Sequence, residues 1–389
     1  MMKQKLRTTI EKIDGDLLTP ILIFQRLAGK QKFLLESSAK YESAGRYSFI
    51  GVNPRKTYKG AGTTLTEISH LTNQTYSYEG DLVALLKQVM PRISNQTDLP
   101  FTGGAIGYIR FNREQASIPA VHFQVYETLI VFDHLTQAIT IIHTNIDAEQ
   151  KEADITSIIE QIKTPSQQET SDFTVSPFNE QLTKDELDVR QKTFQQQIDN
   201  GQLQGVTFAR KQRATLGGSP FNYYRQLRIE QPSPYMYYIE FDDHTVLGTG
   251  ANSIIAVANG QVRTTTSGIE RVAVKGSVEQ TNEVFEAALH PTYHAIDALT
   301  QLLPTDQVSG APKEAALEAI RAIEEDERNL FGGAIGYIGF NGQIDFTAAN
   351  DAILATANEQ QDSFHLTREI GTTLGKIEVT LVGANEGGN

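Results

Sequence analysis

Residue types able to do chemistry concentrate in a few short blocks of this 389-residue chain. Leu34-Leu35-Glu36-Ser37 sets a carboxylate beside a hydroxyl, and Gly45-Arg46-Tyr47-Ser48-Phe49-Ile50-Gly51 follows it with a guanidinium. Pro232-Ser233-Pro234-Tyr235-Met236 comes near mid-chain, and Ser309-Gly310-Ala311-Pro312-Lys313 leads into Gly332-Gly333-Ala334-Ile335-Gly336-Tyr337. Other chemistries are excluded. With Cys 0 there is no disulfide, no thiolate metal site and no cysteine nucleophile. A net charge of -13, from 34 basic and 47 acidic residues, leaves no broad basic face for nucleic acid. The basic run Arg210-Lys211-Gln212-Arg213 reads as a solvated strand end or loop. Gly248-Thr249-Gly250 fails as a nucleotide loop, because Ser253 stands where a third glycine is needed and a hairpin follows.

The elements that must position these residues are mixed in type. Composition is ordinary for a globular protein, 39% apolar and 21% charged. The N-terminal run Met1 to Arg7 is basic but leads into polar residues, so no secretory signal is expected. No stretch approaches the ~18 uninterrupted apolar residues of a membrane span, and a cytoplasmic location is expected. Thr128 to Phe132 and Ala138 to Ile142 read as a strand pair, Asp81 to Met90 as a helix stopped by Pro91, and Ile155, Ile158, Ile159 and Ile162 as one helical face. The polar stretch Thr164 to Asp172 reads as a linker or exposed loop, and residues 164–182 are expected to divide an N-terminal subdomain, 1–163, from a second subdomain, 183–389. Thr183 with Glu186 predicts a capping box. Tyr235 to Phe241 and Thr245 to Gly248 pair across Asp242-Asp243-His244, and Asn259-Gly260 and Asn341-Gly342 predict type I′ hairpins. Lys313 to Glu325 is helical, with Pro312 suited to its first turn. Gly103 to Ile109 recurs as Gly332 to Ile338, which predicts two glycine-rich strands under close backbone approach. The irregular alternation of strand and helix predicts α+β.

In this order and at these separations, the blocks resemble the large, chorismate-binding subunit of anthranilate synthase along nearly the whole chain. The resemblance implies antiparallel β-sheets packed as a sandwich with flanking helices. It also implies a tryptophan feedback site, carried over to Glu36, Ser37, Arg46, Pro234, Tyr235, Met236, Ile335 and Tyr337. These types suit the ligand: a hydroxyl and charges for the ends of an amino acid, and a proline, methionine and aromatic wall for an indole. The implied reaction converts chorismate and ammonia to anthranilate and pyruvate, with Mg2+ held by glutamates. The ammonia would come from a glutamine amidotransferase subunit, since this chain has no thiolate to attack glutamine.

The substrate-gripping glycines carry over to Gly268 and Gly371, but the surrounding pattern departs from the family's. Gly250-Ala251-Asn252 replaces Ser-Pro-Glu, and seven residues, Ile269 to Lys275, stand where a long helical stretch with the first metal glutamate belongs. Asn350-Asp351-Ala352 replaces Ile-Arg-Thr, putting a carboxylate where the substrate carboxylate needs a cation. Phe331 replaces an aromatic hydroxyl, and Glu378 stands in weakly for the C-terminal metal glutamates. Neither His290 nor His294 inherits the catalytic histidine. The second expectation is therefore a catalytically impaired homologue that keeps the scaffold and a tryptophan-binding or partner-binding role.

Overall fold

A computed structural model describes residues 8–37, 45–93, 99–112, 117–146, 155–165, 172–251, 253–266, 272, 274–281, 284–324, 327–358 and 361–377. Two antiparallel sheets, of 13 and 11 strands among the described residues, form the centre. Each draws on both halves of the sequence. In the larger sheet Phe33–Glu36 pairs with Tyr235–Glu240, Met236 opposite Glu36. In the smaller sheet the two copies of the glycine-rich repeat pair with each other, Gly107 opposite Gly336. Glycine is required there: a Cβ on Gly107 would lie 1.9 Å from the His122 carbonyl oxygen, and one on Gly336 2.0 Å from that of Asp345. The repeat is thus a matched strand pair under close backbone approach.

Period-two alternation sorts the side chains into layers. Phe33, Phe49, Val131, Tyr237 and Ile239 of the larger sheet meet Ile106, Tyr108, Tyr126, Ile335 and Tyr337 of the smaller one in the sandwich core. The alternate residues Leu34, Ile50, Phe132, Met236 and Tyr238 face outward under the helices Pro20–Arg26, Ile155–Lys163 and Pro220–Glu230. Phe24 stacks on Phe221 at 4.3 Å there. Burying each such ring contributes about 1.5–3 kcal/mol. The outer face of the smaller sheet, including Tyr58, Ala105, Ile109 and Phe123, is covered by Leu82–Val89 and Ala295–Leu302. The helices Lys184–Asp199 and Lys313–Ile323 close a fourth cluster around Phe194, Phe208 and Ile320. This is the expected α+β sandwich. Among the described residues no helix is long and apolar enough to cross a membrane.

Local signals held where they rest on backbone chemistry. Thr183 and Glu186 close a reciprocal capping box, and Asp81 caps Leu82–Val89. Asn259 and Gly260 have φ of 53° and 76°, as a type I′ turn needs. The Asn341-Gly342 hairpin differs. Only Gly342 has positive φ, and Gly339 closes the loop by donating to the Gln343 carbonyl at 2.8 Å, so the turn is longer than two residues. Pro312 caps Lys313–Ile323 from outside the first turn. Arg210-Lys211-Gln212-Arg213 lies in the middle of the strand Gly205–Gly217, not at its end. Arg210 pairs with Glu180 at 2.8 Å, and Gln212 accepts from Arg368 at 2.8 Å.

Candidate functional site

A cavity of about 510 Å³ opens between the sheets, a volume suited to a small organic ligand. Glu36, Ser37, Arg46, Pro234, Tyr235, Met236, Ile335 and Tyr337 all line it. The ladders explain the gathering. Phe33–Glu36 and Tyr235–Glu240 are neighbours in one sheet, and Ala334–Gly339 lies in the other, so their ends share one gap.

Within this group the side chains have different commitments. Glu36 is buried. Its carboxylate accepts from Tyr224 Oη at 2.9 Å and from Arg228 Nη2 at 3.0 Å. Burial pushes this carboxyl up, while Arg228 and the Tyr224 hydrogen bond pull against the rise. Glu36 therefore anchors the strand to the helix Pro220–Glu230. Arg46 sits at the rim, donating to both carboxylate oxygens of Asp133 at 3.3 and 3.0 Å. Ser37 Oγ is buried and makes no hydrogen bond among the described residues, which leaves its donor and acceptor for a ligand. Met236 also belongs to the helix-covered layer, with Tyr235 on the opposite face of the strand. Tyr337 stacks on Phe101 at 4.4 Å and meets Phe49 edge-on at 6.1 Å, giving a rigid aromatic wall.

Two charged residues of this cavity were not singled out from sequence: Asp345 and Arg263. Asp345 lies opposite Tyr337 in the ladder, and Tyr235 Oη donates to it at 3.0 Å. Desolvation pushes its carboxyl up to about 7, against the lowering effects of Tyr235 and Arg263. Arg263 pairs with Glu286 at 3.3 Å. The available signal was an acid between Ile344 and Phe346 on a strand already assigned, at an inward position. The cavity thus offers a carboxylate, a guanidinium, an unengaged hydroxyl and an aromatic wall, a set complementary to a zwitterion with a flat apolar side chain.

The residues expected to grip chorismate are arranged otherwise. Gly268 lies outside the described residues, as do Asn252 and Glu378. Gly371 is opposite Ala209 in the larger sheet, and the space a Cβ there would take is filled by the Phe331 ring, 2.6 Å away. Glu369 accepts from the backbone N–H groups of Asn329, Leu330 and Phe331 at 2.8, 3.0 and 3.0 Å. Glu324 is held by Arg328 at 2.8 and 2.7 Å. Mg2+ takes an octahedral oxygen set. The carboxylates described in this region are already bound by backbone and Arg328, and Asp351 is a lone acid whose carboxyl desolvation pushes up. The described residues do not fit Mg2+ here. His294 caps Ala295–Leu302, its Nδ1 accepting from the Ile296 N–H at 3.2 Å.

Comparison with known proteins agrees with this fold. The sequence profile described as chorismate binding enzyme matches residues 30–266 and 269–357. Anthranilate synthase component 1 of Lactococcus lactis subsp. lactis is 28% identical over 414 residues, covering 87% of this chain and 90% of the relative. The crystal structure of anthranilate synthase component I from Streptococcus pneumoniae TIGR4 superposes with a TM-score of 0.73 at 26% identity, covering 94% of each chain. The menaquinone-specific isochorismate synthase of Escherichia coli shares the fold, with a TM-score of 0.66 at 13% identity over 95% of this chain and 90% of that one.

Proposed function

The chain belongs to the chorismate binding enzyme family, and from that premise we propose that it is an anthranilate synthase component 1-type protein whose retained activity is binding tryptophan between its sheets. Its chorismate chemistry is reduced. One observation carries the reading: eight residues from separate stretches line a single cavity, with Ser37 Oγ unengaged and Asp345 beside Tyr337 of the aromatic wall as its cross-strand neighbour. In this reading the ligand's ammonium faces Asp345, its carboxylate takes Ser37 and Arg263, and its indole lies along Tyr337. Reduced turnover is supported by Phe331 over Gly371 and by the engagement of Glu369 and Glu324 with backbone and Arg328.

The second reading is full turnover of chorismate and ammonia to anthranilate and pyruvate, favoured by likeness along 94% of the chain to a solved component I. A glutamine amidotransferase subunit would then supply the ammonia. Calorimetry of the purified chain with tryptophan, beside an anthranilate fluorescence assay with chorismate, Mg2+ and ammonia, separates the two. Heat from tryptophan without fluorescence is the expected result. Fluorescence at ordinary enzyme rates would establish turnover, and a folded chain giving no heat at millimolar tryptophan would remove the binding proposal.

A further inference from the structure

A second polar cluster lies apart from the residues of that cavity. His122 is on the inward face of Val121–Tyr126 in the smaller sheet, and Asp243 and His244 occupy the turn between Tyr235–Glu240 and Thr245–Gly250 in the larger one. One ligand atom from each of the three can be chosen so that all lie within 4.8 Å of one another. His122 is 0% exposed, yet neither ring nitrogen makes a hydrogen bond among the described residues. A buried imidazole with both nitrogens unengaged is costly unless something else occupies one of them.

We propose that His122, His244 and Asp243 bind a zinc ion that clips the two sheets together. Two imidazoles and one carboxylate form a nitrogen-rich set suited to a borderline divalent ion, whereas Mg2+ prefers six oxygens. His244 Nδ1–H now donates to Asp243 Oδ1 at 2.5 Å, and its Nε2 lies 3.2 Å from Tyr108 Oη. Zinc displaces the bridging proton, and the imidazole takes the tautomer whose Nε2–H donates to Tyr108, the outer contact that metal-bound histidines make. Ligand atoms around tetrahedral zinc stand about 3.3 Å apart, so Asp243, more than half exposed, swings away from His244 Nδ1 to admit the ion between them. Burial holds His122 neutral, and its neighbour His244 acts in the same direction; Asp243 is held well below the usual carboxylate range by its hydrogen bond to His244. Asp242 stands 3.9 Å from His122 Nε2, beside the fourth position. The Lys59 ammonium, 2.7 Å from Asp242 and 3.9 Å from Asp243, is the competing cation.

The test is titration of the EDTA-treated full chain with Co2+, followed by Zn2+. The native chain is expected to give the visible absorption of a low-coordinate Co2+ site, lost on adding one equivalent of Zn2+, and a melting temperature that Zn2+ raises. Asp243→Asn, an exposed change that leaves the core intact, should remove both responses. Tyr108→Phe should weaken Zn2+ binding by about tenfold. Lys59→Met should tighten it. No Co2+ spectrum from the native chain, or equal spectra and Zn2+ shifts from native and Asp243→Asn proteins, overturns the proposal.

Discussion

Between the sheets, eight residues from separate stretches of sequence share one cavity; around Gly371, Phe331 fills the space above the glycine and the nearby carboxylates are engaged by backbone or Arg328. The two regions differ in their side chains more than in their backbone support. The cavity residues are fixed by ladder registers such as Met236 opposite Glu36 and Tyr337 opposite Asp345, which many hydrogen bonds specify together. Around Gly371 the backbone is also held in strands, with Asp351 opposite Thr249 and Gly371 opposite Ala209, but Asn350-Asp351-Ala352 and the residues after Gly268 depart from the family pattern. Ladder register survives changes of side chain, so a sheet can keep its geometry where the chemistry of its residues has changed.

The largest effect expected from this contrast is in turnover. With chorismate, Mg2+ and ammonia, kcat should fall below about 0.1 per second, against roughly 10 per second for a typical enzyme. Anthranilate fluorescence measures it, and a typical rate would erase the difference between the regions. Next comes Ser37→Arg, which puts a long cation into the space beside the buried hydroxyl. Calorimetric tryptophan binding should disappear while the circular dichroism spectrum stays native; retained binding would move the ligand elsewhere.

Arg228→Met tests the support beneath the cavity. It leaves the buried Glu36 carboxylate without its cation and should cost about 2–3 kcal/mol near neutral pH, discounted because Arg228 is partly exposed. The sign follows from the direction of the shift. Burial raises the folded carboxyl above its unfolded value, so the folded state holds the proton across that window, and stability falls as pH rises through it. Removing Arg228 raises the folded value further. Denaturant melts should therefore show a larger loss at about pH 7 than at about pH 5; an equal loss at both would mean that Glu36 is not the group affected.

A smaller effect concerns Asp345, whose carboxyl is pushed up to about 7. If it receives the ligand's ammonium, tryptophan affinity rises between about pH 6 and about pH 8 as it ionises, and Asp345→Asn flattens that profile. The subtlest difference is in backbone opening. Amides of Ser253–Ala258 and Gln261–Thr264, the strands that precede the departure from the family pattern, should exchange faster than those of Thr128–Asp133 and Ala138–Thr144. Equal protection would mean that the departure from the family pattern costs the smaller sheet no stability.

Much of this protein was determined by sequence alone. The Thr183 capping box, the Asn259-Gly260 turn and the strand pair at Thr128–Asp133 and Ala138–Thr144 follow from local chemistry, which needs no distant partner. The family motifs marked eight of the residues that line the cavity. Tertiary structure decided the rest. It set Gly107 against Gly336, gave Glu36 to Arg228 rather than leaving it open to solvent, and put Asp345 opposite Tyr337. It also brought His122 to Asp243 and His244 from the other sheet. Side-chain alternation tells which residues share a face of a strand, but strand order and sheet stacking decide which faces meet. Those depend on the burial of the whole core, which no short window of sequence contains.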